Sequence, residues 1–144
     1  MLLYIHNKEL GELKMALNEN FTVKDKTAPM LYDDSELEAR MDYFDAKRTE
    51  LGYDTVWSMY DGNLELADPL FTNKPRQVTY KFLVSSNGRT WEQVTATATD
   101  GTIGGLWKAA ENIYQQAKAL GDWHYFVEDF RMEDDGSFTL TMGS

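Results

Sequence analysis

Ile103, Leu106, Trp107, Ala110, Ile113, Tyr114, Ala117 and Leu120 recur at i, i+3, i+4, i+7, i+10, i+11, i+14 and i+17, a spacing that leaves this stretch few ways to fold. It is a single apolar stripe with the period of an amphipathic helix, which predicts a helix over about 102–120. Thr102 or Asp100 can cap its free N–H groups, and Gly121 stands where the chain must turn left-handed to end it. Such a face has to be buried against another element.

The flanking sequence supplies that element. Val78, Tyr80, Phe82 and Val84 alternate with Gln77, Thr79, Lys81 and Ser85, Asn87-Gly88 follows, and Trp91 to Thr99 is rich in Thr and Val. Asn-Gly tolerates the positive φ angles of a tight hairpin, so strands near 77–86 and 90–99 should pair antiparallel. Beyond the helix, Trp123 to Arg131 is aromatic and β-prone, Asp135-Gly136 signals a turn, and Phe138, Leu140 and Met142 alternate with Ser137, Thr139 and Thr141. The expected fold is α+β, with an antiparallel sheet, β-β-α-β-β from about 77 to 143, packed on one long helix, and an N-terminal helical portion beside it.

In that N-terminal portion, Ser35-Glu36-Leu37-Glu38 fits a capping box, and Leu37, Met41, Phe44 and Leu51 recur at helical spacing up to Gly52, predicting a helix over about 35–51. A shorter helix over about 8–18 would use Leu10, Leu13 and Leu17, capped by Asn7. Val56 to Tyr60 reads as a strand ended by Asp61-Gly62, and 62–76, with Pro69 and Pro75, as a long loop of the kind often functional or mobile. There is no repeat or Ser/Gly linker, so residues 1–144 are expected to form one domain, mainly helical over 1–52 and sheet plus helix over 53–144.

Composition narrows the function. With no cysteine among 144 residues, disulfide scaffolds, zinc-thiolate sites and thiol catalysis are excluded. A net charge of −10 is the wrong sign for direct nucleic-acid binding. Apolar runs do not exceed about five residues, against the roughly 20 of a membrane span, so a cytoplasmic protein without membrane contact is expected. The charge is unevenly placed: residues 1–72 carry net −8, 73–120 net +3 and 121–144 net −5.

Standard catalytic signatures are absent from the sequence. It holds no P-loop, no G-x-S-x-G elbow and no H-E-x-x-H helix. His6 and His124 lie 118 residues apart with no motif around either, and His124 among Trp123 and Tyr125 reads as packed or surface. Asp100-Gly101-Thr102-Ile103-Gly104-Gly105 could cradle a phosphate at a helix start, but no Lys closes it and Asp100 would repel an anion, so close packing explains the glycines better. Glu128, Asp129, Glu133, Asp134 and Asp135 suggest hard-cation ligands, yet Arg131 stands where an EF-hand loop needs its first carboxylate. No catalytic residue, cofactor or metal is therefore expected.

The acids themselves carry the sharper expectation. Glu38, Asp42 and Asp45 lie at i, i+4 and i+7, sharing one helical face over about 10 Å of axis. One strand of a duplex presents a phosphate per roughly 3.4 Å, so three carboxylates over that span approach its charge density. Asp33, Asp34 and Glu36 extend the surface at the helix start, where acids are also ordinary stabilisers of the helix dipole, and Lys47 and Arg48 dilute it. In composition, charge and size the chain is similar to small acidic proteins of mixed helix and sheet that act as DNA mimics against restriction or CRISPR machinery, a likeness that carries over no motif and no residue.

Trp107 and Trp123 read as core, whereas Trp91 has the opposite parity to Val94, Ala96 and Ala98 and could anchor a protein interface with Tyr80 or Phe126 nearby. The expected function is an acidic protein–protein interaction module, an inhibitor or nucleic-acid mimic that binds a basic surface of a nucleic-acid-processing or defence protein. Its expected contact residues are Asp33, Asp34, Glu36, Glu38, Asp42, Asp45, Glu128, Asp129, Glu133, Asp134, Asp135 and Trp91. The alternatives are a small nucleotide-like ligand binder or enzyme with a pocket between sheet and helix, and a structural adaptor, possible as a homo-oligomer through strand edges near 77–86 or 136–143.

Overall fold

The computed structural model describes residues 22–27, 33–60, 62–84 and 89–144. Their elements in chain order are α1 (Val23–Thr27), α2 (Asp34–Leu51), β1 (Val56–Trp57), β2 (Arg76–Val84), β3 (Thr90–Ala98), α3 (Ile103–Ala119), β4 (Phe126–Met132) and β5 (Phe138–Gly143). The helix expected over 8–18, and the turn residues Asn87 and Gly88, lie outside the described residues. No helix among the described residues is long and apolar enough to cross a membrane.

α3 follows its stripe. The Thr102 hydroxyl accepts from the Gly105 N–H at 3.0 Å, and the Asp100 carboxylate accepts from the Thr102 N–H at 3.0 Å, closing the helix start. Gly121, at φ 105°, ends it by a backbone state that a side chain would strain. Ile103, Leu106, Trp107, Ala110, Ile113 and Ala117 are buried, while Leu120, the last residue of the stripe, is 47 % exposed because the helix has already ended.

The fold is α+β, but the sheet is mixed rather than antiparallel, with strand order β1-β4-β5-β2-β3. β2 and β3 pair antiparallel without interruption from Arg76↔Ala98 to Val84↔Thr90, and β4 pairs antiparallel with β5. Between the hairpins, however, β5 lies parallel to β2, with Val78 beside Phe138, and β1 lies parallel to β4. The physical reason is the direction imposed by α3. Alternation and turn residues specify faces and local hairpins. The neighbours of each hairpin are set by the helical crossover, which returns the chain so that β5 runs alongside β2. The sheet edges among the described residues are therefore β3 and β1, so β2 (Arg76–Val84) and β5 (Phe138–Gly143), expected as exposed edges, lie inside the sheet.

β1 is also shorter than expected. Its ladder stops after Trp57, where the Ser58 N–H and hydroxyl both donate to the Val127 carbonyl, at 3.1 and 2.6 Å. β4 is irregular between Val127 and Asp129, and Thr22 bridges Arg131 further along the strand, so β1 cannot extend along that edge.

α2 begins two residues earlier than the capping box, with Ser35 as N-cap, suggests. Its N-cap is Asp33, whose carboxylate accepts from the Glu36 N–H at 2.8 Å and the Ser35 hydroxyl at 3.0 Å. Its expected apolar stripe does not dock as a stripe: Phe44 is buried, but Leu37, Met41 and Leu51 are exposed. Phe44 sits about 6.0 Å, ring centre to ring centre, from both Trp57 and Trp107. The 62–75 segment, expected as a loop, is a strap tied across the start of α3. Leu66 accepts from the Gly104 N–H at 2.9 Å, Leu70 donates to Gly101 at 2.7 Å, and Tyr43 of α2 holds the Leu66 N–H at 3.0 Å.

Because Phe44 is the one fully buried side chain of α2, Phe44→Ala should lower stability by about 3 kcal/mol in urea unfolding. Hydrogen exchange should show protection lost over 34–51 while β2 and β5 keep theirs; unchanged α2 protection would mean that other contacts hold the helix.

Candidate interaction site

α2 separates its charges by what each side chain touches. Arg40 donates to the Leu64 carbonyl and lies over the Tyr43 and Phe44 rings, at 5.0 and 5.4 Å from their centres. Arg48 donates to the Asp54 carbonyl at 2.7 Å, and Lys47 pairs with Glu50 at 3.3 Å while lying 5.8 Å from the Tyr43 ring centre. All three cations are partly buried and bonded within the molecule. Asp34, Glu36, Glu38, Asp42 and Asp45 are exposed, and none forms an ion pair among the described residues. Arg48 fastens the end of the helix and Lys47 pairs with Glu50, so neither is bonded to Glu38, Asp42 or Asp45. Asp33 works as the cap, and the hydrogen bonds from Glu36 and Ser35 hold its carboxyl below the usual range.

The second acidic block divides. Asp135 accepts from the Ser137 N–H at 2.9 Å and its hydroxyl at 2.6 Å, which together lower its pKa, and Glu133 accepts from the Thr139 hydroxyl at 2.7 Å. Both therefore shape the β4–β5 turn. Asp129 is half-buried with Oδ1 unpartnered, and burial raises its pKa despite hydrogen bonds from the Lys24 and Phe130 backbone. Glu128 and Asp134 are exposed. Among the described residues no hydrogen bond, ion pair or ring contact joins this block to α2, and no three acids or histidines are placed to hold a metal ion.

Trp91 is 70 % exposed, but it stands opposite Leu83 and has Tyr80 on the other, buried face of the sheet. It lines a groove of about 420 Å³ with Lys81, Glu92 and Gln93. As part of β3 it lies at the opposite sheet edge from β1, against which α2 packs. The expected contact residues consequently occupy three separate places.

The glycine turn at 101–105 is filled by the chain itself. A side chain at Gly101 would run into the Phe71 carbonyl, and one at Gly105 into the Asp100 carboxylate. The Gly104 and Gly105 N–H groups are already bonded to Leu66 and Thr102. The interior between α3 and the sheet, where a ligand pocket was expected as an alternative, is packed with Leu106, Ala110, Ile113, Tyr80, Phe82 and Val94.

One arrangement escapes sequence reasoning. Asp122, 7 % exposed, accepts from the Tyr80 hydroxyl at 2.8 Å and lies 2.8 Å from His124 Nδ1. A carboxylate can only accept, so Nδ1 carries a proton, and in the neutral ring Nε2 is the acceptor. Desolvation, followed by the Asp122 bond, holds the Tyr80 hydroxyl far above its ordinary range. Trp123 is 65 % exposed rather than core, stacked on His124 at 4.3 Å, because Asp122 takes the inward position after Gly121. The Asp-x-His spacing of 122–124 was the available signal, and nothing in sequence placed Tyr80 beside it.

Asp129 gives a pH prediction with a defined sign. Its folded pKa lies above the ordinary 3.8, so the folded state holds this proton longer than the unfolded one. Its contribution to stability falls as pH rises through that window. Asp129→Asn should therefore be more stable than the parent at pH 7, with the difference shrinking below about pH 4; chemical denaturation at both pH values checks this, and an advantage independent of pH would contradict it.

No protein-family model, no curated protein and no solved structure matches this chain, so the case for a function rests on its own residues.

Proposed function

We propose that the chain is an acidic interaction module whose α2 face binds a basic surface of a nucleic-acid-processing or defence protein and inhibits it by standing in for a phosphate backbone. The observation that carries this reading is the sorting of charge on α2. Arg40, Lys47 and Arg48 are bonded within the molecule, while Glu38, Asp42 and Asp45 project without partners from one continuous helix. Carboxylates arranged for stability gain from nearby cations. Here Arg40 and Arg48 bond to carbonyls outside the helix and Lys47 pairs with Glu50, leaving these three acids unpaired. Exposed Leu37 and Met41 beside the acids add apolar surface of the kind a protein partner, rather than a free ion, can cover.

The test is capture from host lysate by the full chain and by the triple variant Glu38→Lys, Asp42→Lys, Asp45→Lys, with duplex DNA as competitor. A nucleic-acid-binding protein held by the parent, displaced by DNA and salt, and bound at least tenfold more weakly by the variant is the expected result. Equal binding by the two proteins would overturn the proposal.

A second reading, a small-ligand binder or enzyme, draws support from the Asp122–His124 pair, since a buried carboxylate on Nδ1 prepares Nε2 for acid–base work. A thermal-shift screen with nucleotides and related metabolites separates the two: a saturable rise that His124→Gln abolishes favours the second reading.

A further inference from the structure

Arg76 opens β2 and is turned into the core side of the sheet beneath the 62–75 strap, with only 4 % of its surface exposed. Its Nη1 donates to the Gly136 carbonyl at 2.9 Å and lies 3.9 Å from the Met132 sulfur. The rings of Phe71 and Phe138 stand 4.9 and 6.0 Å from the guanidinium carbon. Nε and Nη2 are both buried and have no hydrogen-bond partner. Among the described residues no carboxylate pairs with this cation. The acids closest in the chain to its surroundings are engaged elsewhere, Asp100 with Thr102, Glu133 with Thr139 and Asp135 with Ser137.

A buried cation without a counter-charge is costly, and a guanidinium does not escape by losing its proton. Where stability alone decides, an apolar side chain of similar volume serves as well or better. The unmet donors are also a particular pair. Nε–H and the adjacent Nη2–H point the same way and form the side-on edge of the fork, whose spacing matches the two oxygens of a carboxylate. The aromatic rings and Gly136 satisfy the rest of the guanidinium, and that edge alone is left open.

We propose that Arg76 is the seat of a carboxylate-binding site, taking the anion of a small carboxylic acid on Nε and Nη2 with the Phe71 ring as its roof. Phe71 is partly exposed and belongs to the strap, and binding requires that this ring and its short segment turn to admit the acid while the paired strands stay in place. A monoanion neutralises the single guanidinium. A phosphate dianion would leave net negative charge among Phe71, Phe138 and Met132, so carboxylate is the better match.

The test follows thermal unfolding of the full chain at constant ionic strength in sodium chloride, sodium acetate and sodium phosphate, together with the Arg76 Nε–H resonance by NMR. The parent should show a saturable rise in Tm and a saturable shift of that resonance with acetate, absent in chloride and smaller in phosphate. Arg76→Met should melt higher than the parent in chloride and ignore acetate. Arg76→Lys keeps the charge without the fork and should bind acetate at least tenfold more weakly; with the Nε–H resonance it decides the matter if Arg76→Met does not fold. No acetate-specific response in the parent, or the same response in either variant, overturns the site. A larger effect of phosphate overturns the carboxylate assignment, and tighter binding of a capped aspartyl peptide than of acetate overturns the assignment to a free acid.

Discussion

Trp107 is the point on which the rest of the molecule depends. Its ring lies about 6.0 Å from Phe44 of α2 and Trp57 of β1 and 5.4 Å from Tyr53, so one side chain of α3 ties both helices to the sheet. Its indole N–H donates to the Thr55 hydroxyl at 3.0 Å, and that hydroxyl donates to Glu111, one turn further along α3, at 2.7 Å. Glu111 also takes the Asp54 and Thr55 N–H groups. The chain between α2 and β1 is thereby pinned to α3 by a polar network in which each buried group has a partner, the condition under which such networks specify one packing.

This anchoring explains why α2 can be so sparsely buried. Gly52 turns the chain, Arg48 holds the Asp54 carbonyl, and Tyr43 and Arg40 reach the strap, so the helix is fixed at its end and middle with Phe44 as its only fully buried residue. The remaining faces carry Glu38, Asp42 and Asp45, which form no ion pair among the described residues. The second acidic block is different in kind. Asp135 and Glu133 build a turn and Asp129 faces inward, which leaves α2 as the larger uncommitted negative surface.

The local elements were legible where local physics decides them. The 102–120 stripe, the Thr102 cap, the Gly121 stop and the antiparallel pairing of β2 with β3 follow from periodicity and turn chemistry within a few residues, but the register, Val84 opposite Thr90, is one residue away from the one a two-residue Asn87-Gly88 turn would set. The candidate site was legible only in part. The exposure of Glu38, Asp42 and Asp45 follows from helical spacing, but the inward commitment of Arg40 and Arg48 depends on Leu64 and Asp54, carbonyls outside the helix. Trp123 was misread because its aromatic character says nothing about which of residues 122–124 faces inward, and Tyr80 decides that by binding Asp122.

The sequence by itself determined the helix–hairpin content, the acidic balance and the faces that alternate along each strand. Only the tertiary structure decided that β5 pairs with β2, that the glycine turn is filled by the strap, and that Arg76 is buried with no counter-charge among the described residues. The reason is range. Periodicity, caps and turns act over a few bonds and are written in adjacent residues, whereas strand neighbours and buried charges are settled by which distant surfaces pack together.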